Sequence, residues 1–442
     1  MALSGLDIYK LLPKTNCKKC GFQTCLAFAM QLAKKTVPLD KCPFVTPEVR
    51  AVLEEASQPA IRLVEIGASD SKVAVGHETV MFRHEEKFHN PTAIGFILED
   101  ILSEPELNKS LEEINKCRFE RVGQKIEVNL VALKETKSTD AKFINALKII
   151  LKKTTLGLVL MPQTPETLKA ALEISASLKP LVYCADNNLL DAFASLAGGF
   201  RVPLAFRASS VSEFSSLTKK IVSKVPDIVL DVHSEKMSDY LWQLTQLRRL
   251  SIKKNERSVG FPTMVIADAS SDAASVVEAS MFIAKYASIV LLKTRKPEYV
   301  LPLLTLRQNI FTDPQKPLQV EPAVYAVGAA DESSPVLITT NFSLTYYTVL
   351  GEIETSRIPS HLICVDTEGM SVLTAWAAEK FNAEKVADTL IKFKLEEKVR
   401  HKNLIIPGYV SMMSGDLEEK SGWKILVGPR EAAGLPSYLK NL

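Results

Sequence analysis

Short runs of Val, Ile and Leu alternate with amphipathic stretches through the middle of this 442-residue chain. Apolar runs set between helical patterns are typical of parallel strands that are buried on both faces. Eight runs favour a closed (β/α)8 barrel of the TIM type over an open doubly wound sheet, and fewer true strands would reverse that preference. The predicted strands span residues 93–98, 126–133, 156–161, 181–185, 204–207, 227–232, 263–267 and 289–293. Helices are predicted between them, over residues 141–152, 165–178, 211–225, 236–252 and 272–286.

The last quarter of the chain repeats this alternation on a smaller scale. Strands over residues 336–341, 362–366, 404–406 and 425–427, with helices over 344–354, 371–381, 412–420 and 430–433, predict an open α/β domain of Rossmann or flavodoxin-like type. Residues 58–72 and 312–322 are candidate hinges between domains. We therefore expect three domains: a small N-terminal domain over 1–57, the barrel over 58–322 and the α/β domain over 323–442. Short helices are predicted over 25–35 and 47–56 in the first of these.

Four of the seven cysteines crowd into the N-terminal domain with the spacing C-x2-C-x4-C-x16-C. They are Cys17, Cys20, Cys25 and Cys42. Four thiols in one short segment, with Gly21 for a tight turn and Pro43 after the last cysteine, favour a [4Fe–4S] cluster. The alternatives are a zinc site, which prefers two close pairs of cysteines, and four unrelated core cysteines. Cys117, Cys184 and Cys364 are predicted to be small buried hydrophobic residues.

Composition excludes some classes of function. The 54 basic and 51 acidic residues leave a net charge of +3, which gives no sign of nucleic-acid binding. No apolar run approaches the roughly 20 residues of a membrane span, and the N-terminus lacks the pattern of a signal peptide. A cytoplasmic location is therefore expected.

The loops after the four C-terminal strands carry Gly, Ser, Thr and Ala. Ligands of open parallel sheets bind at this edge, and small residues let a flat ligand approach the backbone. The loops contain neither G-x-G-x-x-G nor G-x-x-x-x-G-K-[ST], so no dinucleotide or P-loop motif is present. A cofactor site and ordinary turn chemistry both remain open from this pattern.

Taken together, the cysteine spacing, the eight-strand region and the loops Gly369-Met370-Ser371 and Gly428-Pro429-Arg430-Glu431-Ala432 resemble the large subunit of the corrinoid iron–sulfur protein. That family includes the gamma subunit of the acetyl-CoA decarbonylase/synthase complex, and the resemblance covers essentially the whole chain. It implies that the four clustered cysteines ligate a [4Fe–4S] cluster and that the C-terminal loops contact a corrinoid (cobalamin). The residues implied for the corrinoid are Thr340, Tyr346, Gly369, Met370, Ser371, Val372, Leu373, Thr374, Gly408, Tyr409, Met412, Gly428, Pro429, Arg430, Ala432 and Ala433.

The resemblance implies a methyl carrier of the reductive acetyl-CoA pathway rather than a stand-alone enzyme. Cobalt would accept a methyl group from methyltetrahydrofolate through a separate methyltransferase and deliver it to acetyl-CoA synthase. The cluster, supplied by a low-potential electron donor, would return Co(II) to Co(I). The implied partner is a small barrel subunit that forms a heterodimer with this chain, and neither nucleic acid nor membrane is expected to bind.

The D-x-H-x-x-G signature of corrinoid domains with a histidine ligand is absent. We therefore expect a base-off, His-off corrinoid, with Thr374 near its lower face but not bound. His361 and His401 are predicted at the strand ends away from the ligand edge.

A pterin-dependent barrel methyltransferase with a fused iron–sulfur module is the alternative function. Its chemistry would use the carboxyl ends of the barrel strands, where Asp231 and His233 form a candidate acid–base pair. We favour a structural role for that pair. His77, His84 and His89 are predicted to belong to a polar β-hairpin rather than to a metal site.

Overall fold

The computed structural model describes residues 5–33, 36–46, 49–50, 53, 58–121, 124–136, 140–315 and 317–442. The chain divides into two compact units, one comprising residues 1–117 and 128–311 and the other residues 118–127 and 312–442. The helix predicted over residues 47–56 lies mostly outside the described residues. None of the helices in the described ranges is long and apolar enough to cross a membrane.

The secondary structure follows the predicted alternation through most of the chain. The strands are β1 (Ile61–Ile66), β2 (Val73–Glu78), β3 (Ala93–Glu99), β4 (Arg118–Arg121), β5 (Gln124–Glu127), β6 (Leu130–Lys134), β7 (Gly157–Met161), β8 (Leu181–Cys184), β9 (Leu204–Ala208), β10 (Ile228–Val232), β11 (Thr263–Ala267), β12 (Ile289–Leu292), β13 (Val324–Val327), β14 (Val336–Thr340), β15 (Ser360–Val365), β16 (Asn403–Ile406) and β17 (Lys424–Val427). The helices are α1 (Gly5–Leu11), α2 (Cys25–Ala33), α3 (Glu104–Asn115), α4 (Asp140–Lys153), α5 (Pro165–Ser175), α6 (Leu190–Phe200), α7 (Val211–Ile221), α8 (Met237–Lys254), α9 (Asp272–Ala284), α10 (Pro297–Phe311), α11 (Ser343–Ser356), α12 (Val372–Ala377), α13 (Ala383–Lys392), α14 (Ser414–Ser421) and α15 (Leu435–Lys440).

The closed barrel predicted from the apolar runs is confirmed. Its eight parallel strands follow the order β10-β11-β12-β3-β6-β7-β8-β9. Alternate side chains along each strand fill the interior, as in other barrels of this type. The predicted strand over residues 126–133 is wrong in its bounds, because it joins the end of β5 to most of β6. The strand is interrupted between Glu127 and Leu130. The backbone N–H of Asn129, in this interruption, donates to the carbonyl oxygen of Ile94 (2.8 Å) at the start of the barrel.

The hairpin β1–β2 closes the amino-terminal end of the barrel. Val64, Ile66 and Val75 pack among the first interior side chains of the barrel strands. The hinge predicted over residues 58–72 therefore contains a packed strand. The six residues of β1 form too short a pattern of buried and exposed positions for a strand to be distinguished from a loop in the sequence.

Arg248 of α8 anchors the loop that follows β2. Its guanidinium donates to a Glu78 carboxylate oxygen (2.9 Å) and to the carbonyl oxygen of Met81 (3.1 Å). It also lies 5.0 Å from the ring centre of Phe88 and 4.7 Å from that of Tyr286. Both charged groups are buried, so each depends on the other for its counter-charge.

Replacing Arg248 with methionine should therefore weaken this part of the first unit strongly. Removing one partner of a buried ion pair typically costs about 3–5 kcal/mol. Hydrogen exchange should reveal a comparable fall in the opening free energy of the β2 and α8 amides. Arg249 lies next in α8 but is exposed, so Arg249→Met serves as the control and should change that free energy by less than about 0.5 kcal/mol. Equal effects of the two variants would contradict this role.

The second unit contains an open five-stranded sheet in the order β13-β15-β14-β16-β17. The four predicted strands are β14 to β17, and they run parallel, while β13 pairs antiparallel with β15. The helix predicted over residues 430–433 is wrong. An extended Glu431 leads into a 3₁₀ turn at Ala432–Gly434, and α15 begins only at Leu435, next to Pro436.

The hairpin β4–β5 belongs to the second unit although it lies between α3 and β6 in the sequence. An ion pair between Arg118 and Glu127 (3.3 Å) joins its two ends. Burial raises the pKa of Tyr325 to about 12, and the negative charge of Glu120 on the hairpin adds to the rise. The chain consequently passes between the two units three times, after residues 117, 127 and 311.

Candidate functional site

The cysteine segment is organised around the small core of α1 and α2. Cys25 and Cys42 are buried in that core together with Phe28, and Cys20 packs against it. Cys17 is exposed. A hydrogen bond from the Lys19 backbone, with a smaller contribution from the Thr15 side chain, lowers the pKa of the Cys17 thiol. The thiolate, which is the form that ligates metals, is thereby favoured.

The backbone before α2 is tightly curled. Lys14, Asn16 and Lys18 adopt left-handed conformations with φ between 48° and 60°, and Gly21 has φ of 87°. The side-chain oxygen of Asn16 accepts a hydrogen bond from the Cys25 N–H (2.8 Å), which fixes the loop to the first residue of α2. Left-handed residues that alternate in this way are a feature of backbone concavities that hold anionic groups, iron–sulfur clusters among them.

The donor set of this segment consists of thiols, the ligands that iron–sulfur clusters use. Over the described residues, no group of three or more His, Cys, Asp or Glu side chains is close enough to surround a single metal ion. A [4Fe–4S] cluster holds its four ligands farther apart than a single zinc ion does, because each thiolate binds a different iron.

A cavity of about 310 Å³ opens at the carboxyl ends of the parallel strands in the second unit, beside α11. It lies at the edge of the sheet where the sequence predicts a ligand site. Eight of the predicted residues line it: Ser371, Val372, Leu373, Tyr409, Gly428, Pro429, Arg430 and Ala432.

The other eight predicted residues are close in sequence to residues that line the cavity but do not line it themselves. Thr340 and Tyr346 are buried on opposite faces of the sheet, with the Tyr346 ring centre 5.1 Å from that of Tyr325. Thr374 and Met412 are exposed. The remaining four are Gly369, Met370, Gly408 and Ala433.

Asn341 positions the loop after β15. It is buried, and its side-chain oxygen accepts hydrogen bonds from the Thr367 N–H and hydroxyl (3.0 Å each) and from the Gly369 N–H (3.1 Å). Gly369 has φ of 73°, and a β-carbon there would lie 2.7 Å from the Gln319 side chain. An asparagine directly after a buried strand is the sequence signal that could have identified this role.

The loops after β16 and β17 meet closely. A β-carbon on Gly408 would lie 2.6 Å from the carbonyl oxygen of Gly428 and 2.8 Å from the Arg430 nitrogen, so glycine is required there. The Tyr409 hydroxyl donates to Glu431 (2.5 Å), and this bond raises the pKa of Tyr409. These contacts fix one wall of the cavity.

Sequence reasoning missed the opposite wall, which α11 and the strands supply. Leu344, Thr345, Thr348 and Val349 line the cavity from the helix, and Thr339 lines it from β14. The Thr339 hydroxyl is buried without a hydrogen-bond partner. The lining by α11 depends on how the helix packs on the sheet, so loop composition gave no signal for it, whereas Thr339 belongs to the first of the small-residue loops.

The cavity opens onto apolar surface. Leu344, Leu373 and Tyr409 line it and are nevertheless 68%, 49% and 43% exposed. Trp376, on the same helix as Leu373, and Met412, in the same segment as Tyr409, are exposed as well. Clustered exposed hydrophobic side chains of this kind mark surfaces that ligands or partners cover.

The candidate acid–base pair of the barrel is not a pair. Asp231 is buried, and its carboxylate accepts hydrogen bonds from the Tyr183 hydroxyl (2.7 Å) and the Arg207 Nε (2.9 Å). His233 is exposed and its ring nitrogen lies 3.4 Å from the Tyr240 hydroxyl. The contacts of Asp231 are those of a structural ion pair, so the structural role favoured from the sequence holds for Asp231, but its partner is Arg207 and not His233.

The histidines of the second unit lie at the amino ends of the strands, as predicted. A ring nitrogen of His361 lies 3.0 Å from the carbonyl oxygen of Asp331, and one of His401 lies 3.0 Å from that of Ser334. His77 belongs to β2 of a hairpin, and its ring contacts that of His89.

Comparison with known proteins identifies the family. The family model described as "CO dehydrogenase/acetyl-CoA synthase delta subunit" matches residues 63–439. The chain is 44% identical to the "Corrinoid/iron-sulfur protein large subunit" of Moorella thermoacetica, over 100% of this chain and 99% of that protein. This chain belongs to the corrinoid/iron–sulfur protein large-subunit family.

Two archaeal members of this family extend the comparison. Each is named "Acetyl-CoA decarbonylase/synthase complex subunit gamma". The protein of Methanothermobacter thermautotrophicus is 38% identical over 100% of this chain and 99% of its own length. That of Methanocaldococcus jannaschii is 33% identical over 99% of this chain and 96% of its own length.

A second family model, described as "Putative Fe-S cluster", matches residues 12–44. All four clustered cysteines fall within that range. The match therefore covers the same segment that the spacing of the cysteines singles out.

Proposed function

We propose that this chain is the large subunit of a corrinoid iron–sulfur protein that acts as a methyl carrier in the acetyl-CoA pathway. The observation that carries this proposal is the cavity, since eight residues inferred beforehand for the corrinoid line one continuous space. The names of the full-length relatives support the same role.

Cys17, Cys20, Cys25 and Cys42 are proposed to hold a [4Fe–4S] cluster. The all-thiol donor set, the favoured thiolate of Cys17 and the curled backbone before α2 fit an anionic cluster with cysteine ligands. The Fe–S family match over residues 12–44 supports this assignment.

The cavity and its apolar surroundings are proposed to hold a base-off corrinoid. A cavity of about 310 Å³ is at the lower end of the roughly 300–1,000 Å³ typical of small-molecule sites. Part of so large a cofactor would fill the cavity, and the exposed Leu373 and Tyr409 would pack against the rest. The small residues of the loops fit a ligand that approaches the backbone. The other predicted contacts, Thr340 and Thr374 among them, remain part of this proposal.

When bound, the corrinoid would supply methyl transfer from methyltetrahydrofolate to acetyl-CoA synthase, and the cluster would supply the electron that reactivates it. The residues of the chain position these groups. Asn341 holds the loop after β15, the Tyr409–Glu431 hydrogen bond ties the loops after β16 and β17 together, and the cysteines set the position of the cluster. His361 and His401 are held at the other ends of the strands, which fits a cobalt without a histidine ligand.

The partners proposed for this role are a small barrel subunit, a methyltransferase, acetyl-CoA synthase and a low-potential electron donor, all in the cytoplasm. The division into domains over 1–57, 58–322 and 323–442 belongs to the same proposal, although residues 118–127 and 312–322 pack with the second unit. We do not favour the alternative of a barrel methyltransferase, because the Asp231 carboxylate already accepts hydrogen bonds from Tyr183 and Arg207.

An absorption spectrum of the full-length chain, purified without oxygen together with its small subunit, tests the proposal. We expect corrin bands superimposed on the broad absorption of an iron–sulfur cluster, with cobalt and iron both present. A spectrum that shows the cluster alone, or neither group, would refute the methyl-carrier role.

A further inference from the structure

The segment that contains the clustered cysteines carries an excess of positive charge. Residues 12–44, the range of the iron–sulfur family match, contain six lysines and one acidic residue, which gives them a net charge of +5. The whole chain has a net charge of +3, so the remaining residues together carry −2. Positive charge is therefore concentrated in the cysteine segment, although the chain as a whole is nearly neutral.

Four of the six lysines lie at the surface of the described part of this segment without a counter-charge. They are Lys14, Lys18, Lys19 and Lys41. None of the four forms an ion pair with a residue that the structure describes. Asp40, the acidic residue of the range, is paired with Arg50. The four ammonium groups are therefore available to an anionic partner from outside the chain.

These lysines lie around an exposed member of the cysteine set. Residues 13–19 are exposed without interruption, and Cys17 is among them. The Lys19 ammonium group lies 5.0 Å from the ring centre of Phe44, which is 43% exposed. Phe44 follows Cys42 by two residues, so this contact joins the two ends of the cysteine segment at the surface. The lysine surface is defined here as Lys14, Lys18, Lys19, Lys41 and Phe44.

The lysines could serve only to balance the charge of the cluster. A [4Fe–4S] cluster with its four thiolates carries about −2 when oxidised, which would leave residues 12–44 with a net charge of about +3. Charge balance thus accounts for less than half of the excess. The exposed ring of Phe44 among the lysines gives the surface an apolar contact with a charged rim, which is typical of protein–protein interfaces and favours a protein over a nucleic acid.

We infer that the lysine surface is the docking site of a low-potential protein electron carrier whose own surface is acidic. This inference rests on the proposed function, in which the cluster receives electrons from a donor. Opposite charges accelerate the encounter of the two proteins, and a small contact area lets the carrier leave after each transfer. One electron passes from the reduced carrier to the oxidised cluster, the carrier is oxidised, and no bond forms or breaks.

The experiment uses the full-length chain with its cluster and a bacterial ferredoxin that has a strongly negative net charge. The double variant Lys14→Gln/Lys18→Gln removes two charges and keeps Lys19, whose backbone hydrogen bond and charge both lower the pKa of Cys17. At low salt, stopped-flow reduction of its cluster should be roughly three- to tenfold slower than that of the wild type. Calorimetry should show a similar loss of affinity for the oxidised ferredoxin. Added salt should slow the wild type more than the variant.

Two further variants and a second reductant serve as controls. Lys14→Arg/Lys18→Arg keeps both charges and should behave like the wild type. Lys109→Gln/Lys169→Gln removes two exposed lysines from α3 and α5 of the first unit and should change neither the rate nor the affinity. Photoreduced 5-deazariboflavin is small and uncharged, so it should reduce the cluster of every variant at the same rate.

Equal rates and affinities of the Lys14/Lys18 glutamine variant and the Lys109/Lys169 control would overturn the inference. Slower reduction by 5-deazariboflavin, or a shift in cluster potential that explains the lost rate, would also overturn it, because the lysines would then tune the cluster instead of binding a carrier. Binding of single-stranded DNA that the same variant loses would assign the surface to nucleic acid and exclude the carrier. The proposed function would survive all of these results and would fail only if the wild type held no cluster or no corrinoid.

Discussion

Replacing Cys20 with alanine is expected to remove the iron from this chain and leave its corrinoid bound. Cys20 packs against the small core of α1 and α2 and is partly exposed, so the loss of its sulfur leaves the fold nearly intact. With three thiolates a [4Fe–4S] cluster lacks one ligand, and the iron content should fall from about four atoms per chain to near zero. Reductive reactivation should fall to background, while methyl transfer from corrinoid that has been reduced beforehand should persist.

The matched control for this variant is Cys184→Ala. Cys184 is a buried thiol in a barrel strand, and burial raises its pKa to about 12, so it remains protonated and serves as a small hydrophobic side chain. This control should retain iron, cluster absorption and reactivation. If Cys20→Ala kept its iron, Cys20 would not be a ligand. If it lost its iron but was still reactivated, the cluster would not be the electron relay.

Filling the cavity from α11 should have the second large effect. Thr345 lines the cavity and is only partly exposed, so a tryptophan at this position would direct an indole ring into a space of about 310 Å³. A ligand cannot share that space, and overpacking a preformed site is unfavourable. We expect Thr345→Trp to bind hydroxocobalamin at least about tenfold more weakly than the wild type in equilibrium dialysis, with cluster iron unchanged.

The same substitution at Thr355 provides the control. Thr355 lies on the same helix, is exposed and does not line the cavity. Thr355→Trp should therefore bind corrinoid like the wild type, with a similar cost in helix stability. If Thr345→Trp bound corrinoid as tightly as this control, the cofactor would have to lie elsewhere on the second unit.

The barrel could be predicted from the sequence because its strands are buried on both faces. Runs such as Ile228–Val232 contain almost nothing but apolar residues and are bounded by helical patterns. The hairpins β1–β2 and β4–β5 could not be predicted in the same way. Residues such as Arg118–Arg121 alternate in exposure and carry charge, so their pattern resembles that of a loop.

The cavity was predictable in its loops but not in its walls. Glycine and small hydroxyl residues after parallel strands left a cofactor site and ordinary turns both open, and the family resemblance then implied Gly428 and Ser371, which line the cavity. Leu344 and Val349 line the same space through the packing of α11 on the sheet. Which residues of a helix line such a cavity depends on how the helix packs against the sheet. Local sequence does not determine that packing. The four cysteines were predicted as ligands from their spacing, because several cysteines within one short segment are typical of iron–sulfur motifs.

The placement of the hairpin β4–β5 has a consequence for genetic engineering of this protein. The second unit is encoded by two separate stretches of the gene, since residues 118–127 belong to it together with residues 312–442. A fragment that begins at Thr312 therefore lacks ten residues of its own fold, Glu120 beside Tyr325 among them. The unit cannot be excised with one cut or exchanged between relatives by a single crossover. Any transplant of the second unit must carry the hairpin as well.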